Sequence, residues 1–218
     1  MSRLYFEALT ETEKKEFPKL AMFKKFGVLV GGTALAFQMG HRRSYDFDIF
    51  STKPLPRDLP RRARNTFRRI SVLHHFEEEF SFVTLSGVKI TFVYYPFPPI
   101  FPLVSVSGVN LSNCRDIALD KAYTIGRRAQ YRDYVDLFFL MKEKGITIDW
   151  LVKNAGKKFE GLFPAKLFLS QLTYLADLRN FEVEFLRGSF TVQEIKSFFE
   201  EAVKQYTQKN IFKKKLKK

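Results

Sequence analysis

With 218 residues, 45% of them hydrophobic and 25 of them phenylalanine, the chain is long and apolar enough to bury a core, which excludes a disordered polyelectrolyte. Its single cysteine, Cys114, excludes an intramolecular disulfide framework and a cysteine-based zinc cluster. A net charge of +14 points to a polyanionic partner; with no apolar run near the roughly 20 residues that span a bilayer and no basic-plus-apolar leader, the expectation is a cytoplasmic protein with no membrane partner.

Residues 1–26 read as helical, with a break or second start at Pro18, because proline inside a helix lacks the required N–H. Residues 28–50, VLVGGTALAFQMGHRRSYDFDIF, then read as a short apolar strand, a paired-glycine turn opening a helix over 33–39 that Gly40 stops, and a second strand. Alternation on that strand sets Asp46, Asp48 and Phe50 on one face and Phe47 and Ile49 on the other. Two neighbouring carboxylates on one face repel unless a cation lies between them, and Mg²⁺, a hard cation with oxygen ligands, suits them. The Gly31-Gly32-Thr33 turn offers backbone N–H groups at a helix start, a ready site for phosphate. A phosphate cradle beside metal carboxylates suggests nucleotide chemistry.

A proline-punctuated loop over 51–56 precedes a basic helix predicted at 57–70. Residues 53–69 carry Lys53, Arg57, Arg61, Arg62, Arg64, Arg68 and Arg69 against Asp58 alone, a local +6, and the last ten residues carry six lysines. The terminal lysines also fit a solvated tail; the arginines are better phosphate forks and form the candidate nucleic-acid surface. Runs at 80–85 and 88–95, joined at Ser86-Gly87, predict a hairpin on which Lys89, Thr91 and Val93 share a face. The four-proline loop PFPPIFP excludes a strand or helix, and one edge strand is expected at 104–109.

From residue 112 the period becomes helical. Helices are predicted at 113–128, 132–144, 149–159, 164–178 and 192–208, with Gly145 ending the second and a Thr191/Glu194 capping box opening the last; the alternating run at 180–187 is ambiguous. The shift near residue 110 divides an α/β part, 1–110, from a helical part, 111–218, that completes the cleft. Helical spacing places Lys121 and Arg128 on one face, and Asp133 and Asp136 on one face of the next helix. This set reads either as an interhelical salt-bridge group or as part of a site. His41, His74 and His75 have no partners at zinc-like spacing and read as structural, although His41 precedes the aspartate strand closely enough to meet phosphate or base.

Together, LVGGTALAFQMGHRRSYDFDIF, GVKITFVYYPFP, DIALDKA and RRAQYRDYVDL resemble the AbiEii family of nucleotidyltransferases, toxins of type IV toxin–antitoxin and abortive-infection systems, over residues 27–140. The resemblance implies an α+β fold, a polymerase-β-like nucleotidyltransferase domain with a small mixed sheet followed by a helical C-terminal part. It implies Asp46 and Asp48 as ligands of Mg²⁺, or of Mn²⁺. Gly31, Gly32, Thr33, Arg43, Ser44, Lys121, Arg128 and Arg132 would bind the NTP, and Asp133 and Asp136 are the acids of the fourth motif. One departure stands out. The strand that usually carries a third carboxylate reads KITFVYY, with Thr91 at the site-facing position, so Asp133, Asp136 or water would take the proton, or transfer would be weak. The implied reaction moves an NMP from an NTP to an acceptor hydroxyl, on a tRNA-like RNA given the arginines at 57–69. A small-molecule (antibiotic-type) nucleotidyltransferase and a non-catalytic nucleotide- or RNA-binding module are the alternatives, and a cognate antitoxin is a further candidate partner.

Overall fold

The computed structural model describes residues 4–215 apart from 126, 129, 177, 179 and 180. Lys217 and Lys218 of the basic tail therefore lie outside the described residues, as does Asn180 at the head of the alternating run. The chain forms two compact units, one of residues 1–117 with 184–187, the other of residues 118–183 with 188–218. The architecture is α+β, a seven-stranded mixed sheet with its helices followed by a helical C-terminal part.

The first unit opens with helix α1 (Glu11–Glu16), whose Thr10 and Glu13 form a capping box. Pro18 tightens the continuation into a 3-10 helix, Phe17–Phe23, rather than ending it. Strand β1 (Val28–Val30) leads directly into α2 (Gly31–Met39), which stops at Gly40 in the left-handed region, φ 60°. Strand β2 (Asp46–Ser51) alternates half-buried and buried residues as its sequence predicts.

The basic helix is shorter than its composition suggests. α3 runs Leu59–Phe67 and ends where Arg68 takes φ 62°. A strand follows that periodicity does not reveal: β3 (Ile70–His75) is exposed at five of its six residues, so no buried face imprints an alternation on it. The hairpin is β4 (Glu79–Thr84) with β5 (Lys89–Tyr94). The single strand expected at 104–109 is two, β6 (Val104–Val106) and β7 (Val109–Leu111), turned at Ser107 and Gly108, both at positive φ.

These strands form one mixed sheet in the order β3-β4-β5-β2-β1-β7-β6. β7 is thus an interior strand, parallel to β1, and only β6 lies at that border. One face of the sheet packs an aromatic core in which Phe17 meets Phe47, Phe23 meets Phe92, and Phe67 meets Phe82. Residues 184–187 join this unit through backbone bonds, Arg43 N–H to the Glu184 carbonyl and Leu186 N–H to the His41 carbonyl. The Arg187 guanidinium donates to the carbonyls of Met39 and Gly40, capping the negative end of α2.

The second unit is helical. Helix α4 (Cys114–Thr124) enters it, followed by α5 (Tyr131–Lys144), α6 (Ile148–Lys158), α7 (Ala165–Leu172) and α8 (Val192–Lys215). Gly145 stops α5 at φ 64°, and Thr191 and Glu194 cap α8 reciprocally. Helix α4 ends four residues before Arg128, and α7 ends before the expected 178. Among the described residues no helix is long and apolar enough to cross a membrane.

Candidate active site

Register, more than any single side chain, builds the site. β1 pairs with β2 so that Val30 lies opposite Asp48, and the chain leaves Val30 straight into the Gly31-Gly32 turn. The turn is thereby set against the carboxylate: a β-carbon at Gly31 would stand 3.2 Å from Asp48 Oδ2, and Gly31 holds φ +69°. No side chain caps the start of α2. Its first N–H groups thus lack the usual side-chain acceptor and carry the positive end of the helix dipole.

Gly32 is required by a different neighbour. A β-carbon there would lie 2.5 Å from Arg42 Nη2 and 3.0 Å from Ser44 Oγ. Arg42 is only 2% exposed, and its Nη1 donates to the Arg43 carbonyl at 2.7 Å. A buried guanidinium therefore lies against the glycine turn. Arg43, the residue of the expected nucleotide set next to it, binds Glu184 at 2.5 Å and the Glu7 carbonyl at 3.3 Å. Continuing the alternation of β2 upstream would have distinguished them, since Arg42, Ser44, Asp46 and Asp48 are in phase and Arg43 is not.

Thr33 has its hydroxyl engaged within the protein. It donates to the Asp46 carbonyl at 2.5 Å and lies 2.8 Å from Ser44 Oγ. This ties the first turn of α2 to the start of β2, so any phosphate contact at Thr33 falls to its backbone N–H.

Asp46 and Asp48 are both half-buried on the same face of β2. Two carboxylates there fit Mg²⁺, which commonly takes one or two protein carboxylates and completes its octahedron with water and substrate phosphates. Across the parallel β2–β5 ladder Asp46 pairs with Lys89 and Asp48 with Thr91, and Thr91 pairs onward with Ser81. No carboxylate occupies the row beside Asp48. Among the described residues, no three His, Cys, Asp or Glu side chains gather as a metal-binding group.

Glu13, in the first helix, is a further acid outside the expected site residues. It is 2% exposed, and burial pushes its carboxyl above the usual carboxylate range against two hydrogen bonds from Thr10; the charge of Asp46 raises it further. His41 is fully buried, whereas His74 and His75 are exposed on β3.

In the helical unit, Lys121 Nζ lies 2.6 Å from Asp133 Oδ1 and 2.6 Å from Asp136 Oδ2, both acids being essentially inaccessible. Arg128 reaches Asp133 with two bonds, Nε to Oδ2 at 2.8 Å and Nη2 to Oδ1 at 3.0 Å. It does so from the loop after α4, not from a shared helical face. Burial opposes ionisation of Asp133, yet the Lys121 charge and the Arg128 fork outweigh it and hold the carboxyl below its ordinary value. Arg132 is exposed. A second buried pair, Lys158 with Asp120 at 2.7 Å, joins α6 to α4.

The arginines at 57, 61, 62, 64, 68 and 69 are all exposed on or beside α3. Asp58 partly neutralises two of them, meeting Arg62 at 2.7 Å and Arg61 at 3.4 Å. Asp116, which no motif singled out, is fully buried and accepts the N–H groups of Ile100 and Phe101, pinning the proline-rich loop.

Known proteins resemble this chain in sequence or in fold. The protein of Aquifex aeolicus (strain VF5) described as "Uncharacterized protein aq_aa25" is 31% identical over 182 residues, 82% of this chain and 86% of that protein. The crystal structure of JHP933 from Helicobacter pylori superposes with a TM-score of 0.55 at 18% identity, covering 99% of this chain and 100% of its own. A second Helicobacter pylori structure gives 0.56 at 18% identity, covering 92% and 98%. The family model "Nucleotidyl transferase AbiEii toxin, Type IV TA system" matches residues 15–205. The chain therefore belongs to the AbiEii family of nucleotidyltransferase toxins.

Proposed function

We propose that this chain transfers a nucleoside monophosphate from an NTP to a hydroxyl of an RNA acceptor, tRNA-like ends first among them, with Mg²⁺ or Mn²⁺ as cofactor. The observation that carries the reading is the convergence of an uncapped helix start, a buried arginine and a carboxylate at Gly31, Gly32, Arg42 and Asp48. In it the N–H groups of Gly32 and Thr33 receive the triphosphate, and Arg42 fixes the turn that presents them. Asp46 and Asp48 would hold the divalent ion, which would supply Lewis-acid neutralisation of the charge that develops on the phosphates. Ser44 keeps the turn and the aspartate strand in register through Thr33. Lys121, Arg128 and Arg132 retain their proposed nucleotide roles, with Lys121 positioned by its ion pairs to Asp133 and Asp136.

The arginines around α3 support a polyanionic acceptor, and the family supports an antitoxin as protein partner in the cytoplasm. The Thr91 position opposite Asp48 favours a second reading, a nucleotide- or RNA-binding module with little turnover. Incubation with each of four α-labelled NTPs, Mg²⁺ or Mn²⁺ and total RNA separates the two. Label on RNA that disappears in Asp48→Ala supports transfer. No label on any acceptor, with NTP binding retained, selects the binding module; label on a small molecule instead identifies an antibiotic-type enzyme.

A further inference from the structure

One cavity of the first unit lies outside the Asp46/Asp48 site. It measures about 560 Å³, within the roughly 300–1,000 Å³ of small-molecule sites, and opens between the loop over 54–60 and the turn from β3 to β4. Its aromatic walls are the buried Phe80, His75 edge-on to Phe80 at 5.5 Å, and Phe76, which is 68% exposed and so offers a ring to a ligand. Pro54, Pro56 and Pro60 stiffen the other side. Backbone bonds close both rims, Leu59 N–H to the Pro56 carbonyl at 2.9 Å and Phe76 N–H to the Glu79 carbonyl at 2.8 Å. The cavity is therefore preformed, which lowers the cost of binding. Phe80 pairs with Phe92, and Phe92 with Ile49, so the cavity belongs to the sheet face opposite Asp48.

Two charges stand in this aromatic setting. Arg57 and Glu77 both line the cavity, both are exposed, and neither forms an ion pair among the described residues. A purely apolar ligand would leave both unused, and an acidic peptide would be opposed by Glu77. A flat ring with N–H donors on one edge and a phosphate attached satisfies every part: it stacks on an aromatic ring, donates to the carboxylate and pairs with the guanidinium. Among the RNA bases, guanine alone presents two parallel donors, N1–H and the N2 amine, to one carboxylate. Adenine and cytosine set a ring-nitrogen acceptor beside their amine, and uracil flanks its single N–H with carbonyls, so each is repelled by a group that only accepts.

We propose that this cavity is a subsite for an unpaired guanine of a single-stranded RNA, with the base stacked on Phe76, its Watson–Crick edge on Glu77 and its phosphate on Arg57. The inference rests on the RNA reading above and adds a base preference to it. The occupant is part of a chain, not a free nucleotide, because the cations continue past the cavity: Arg61 and Arg64 follow on α3, both exposed, with places for further phosphates. Since the cavity lies on the face opposite Asp48, the guanine it holds is removed from the reacting hydroxyl and is not the terminal nucleotide.

Fluorescence anisotropy on the full chain without NTP tests this, with an oligouridylate carrying one central guanosine and counterparts carrying uridine or adenosine there. The guanosine oligomer should bind at least about tenfold tighter than either. Glu77→Gln, whose amide both donates and accepts, should bring the three within about twofold of one another. Phe76→Ala should weaken the guanosine oligomer by about tenfold. Both side chains are exposed, so the fold persists, which circular dichroism verifies. GMP should bind at least about a hundredfold more weakly than the oligomer, lacking the further phosphates. A guanosine preference that survives both substitutions, or no preference with RNA binding intact, overturns the subsite and leaves the RNA acceptor standing. GMP bound as tightly as the oligomer overturns it in favour of a free-nucleotide site. A chain that binds no oligomer removes the RNA reading and this inference together.

Discussion

Asp48 and Thr91 are direct partners across the parallel β2–β5 ladder, and Thr91 in turn faces Ser81 on β4. The position beside the metal-type carboxylate thus carries a hydroxyl. Thr91 is 7% exposed, and neither Thr91 Oγ1 nor Ser81 Oγ has a hydrogen-bond partner among the described residues. A threonine does not serve as a general base near neutral pH, so its replacement is informative in both directions. Thr91→Val keeps the shape and removes a buried hydroxyl that bonds nothing, and stability should change by less than about 1 kcal/mol with turnover retained. Thr91→Asp installs an acid in the row of Asp48 and should raise the transfer rate in Mg²⁺ above the wild-type level. A tenfold fall in kcat for Thr91→Val would instead give the hydroxyl a direct part in the reaction.

Gly32 is the point where the phosphate turn and the buried arginine meet. In Gly32→Ala the new methyl would fall 2.5 Å from Arg42 Nη2, so the guanidinium must shift, and Ser44 Oγ at 3.0 Å limits the room available. Thermal unfolding should report a loss of about 1–3 kcal/mol, the usual cost of overpacking. NTP affinity should fall with it, because the N–H groups of the turn move. Arg42→Lys should weaken NTP binding, since an ammonium lacks the planar fork. Equal NTP affinity in both variants would detach Arg42 from the nucleotide site.

The paired-glycine turn, the phase of Asp46 and Asp48, and the gap at Thr91 were legible because a half-buried strand writes its faces into alternating residues. β3 was not, because a strand exposed on both sides is under no such constraint. β7 was hidden by its length, its burial arising from pairing with β1 far away in sequence. Arg42 and Arg43 are indistinguishable by type. Their phase relative to β2 separates them, and the return of residues 184–187 gives Arg43 its own partner in Glu184. Arg128 was placed correctly beside the acids for the wrong local reason, since α4 ends before it and the loop brings it back to Asp133.

The Lys121 group gives the helical unit a pH-dependent component of stability. The Asp133 carboxyl is held below its ordinary value in the folded chain. Its contribution is therefore fully present above the unfolded carboxylate value of about 4 and is lost as pH falls through the lower folded value. Lys121→Met removes the ammonium that pairs with both buried carboxylates and should cost about 3–5 kcal/mol at pH 7. The difference from wild type should shrink as the solution is taken below about pH 4, where the Asp133 contribution begins to be lost. Denaturant titrations at several pH values measure this, and a deficit that stays constant with pH would assign it to lost packing.

The arginines around α3 differ in how much charge they can offer an RNA. Arg61 and Arg62 share Asp58, at 3.4 and 2.7 Å, whereas Arg57 and Arg64 form no ion pair among the described residues. A phosphate contact made by an arginine releases counterions, and removing it should lower the slope of log K against log salt by about 0.7–0.9. Arg57→Gln and Arg64→Gln should each reduce the slope by roughly that amount for single-stranded RNA or duplex ends. Arg62→Gln should reduce it less, because the released Asp58 already screened that guanidinium. The sites are solvent-facing, so binding isotherms at several salt concentrations read electrostatics without a change of fold. An unaltered slope in Arg57→Gln and Arg64→Gln would move the RNA path off α3 and leave the acceptor to be sought at another face.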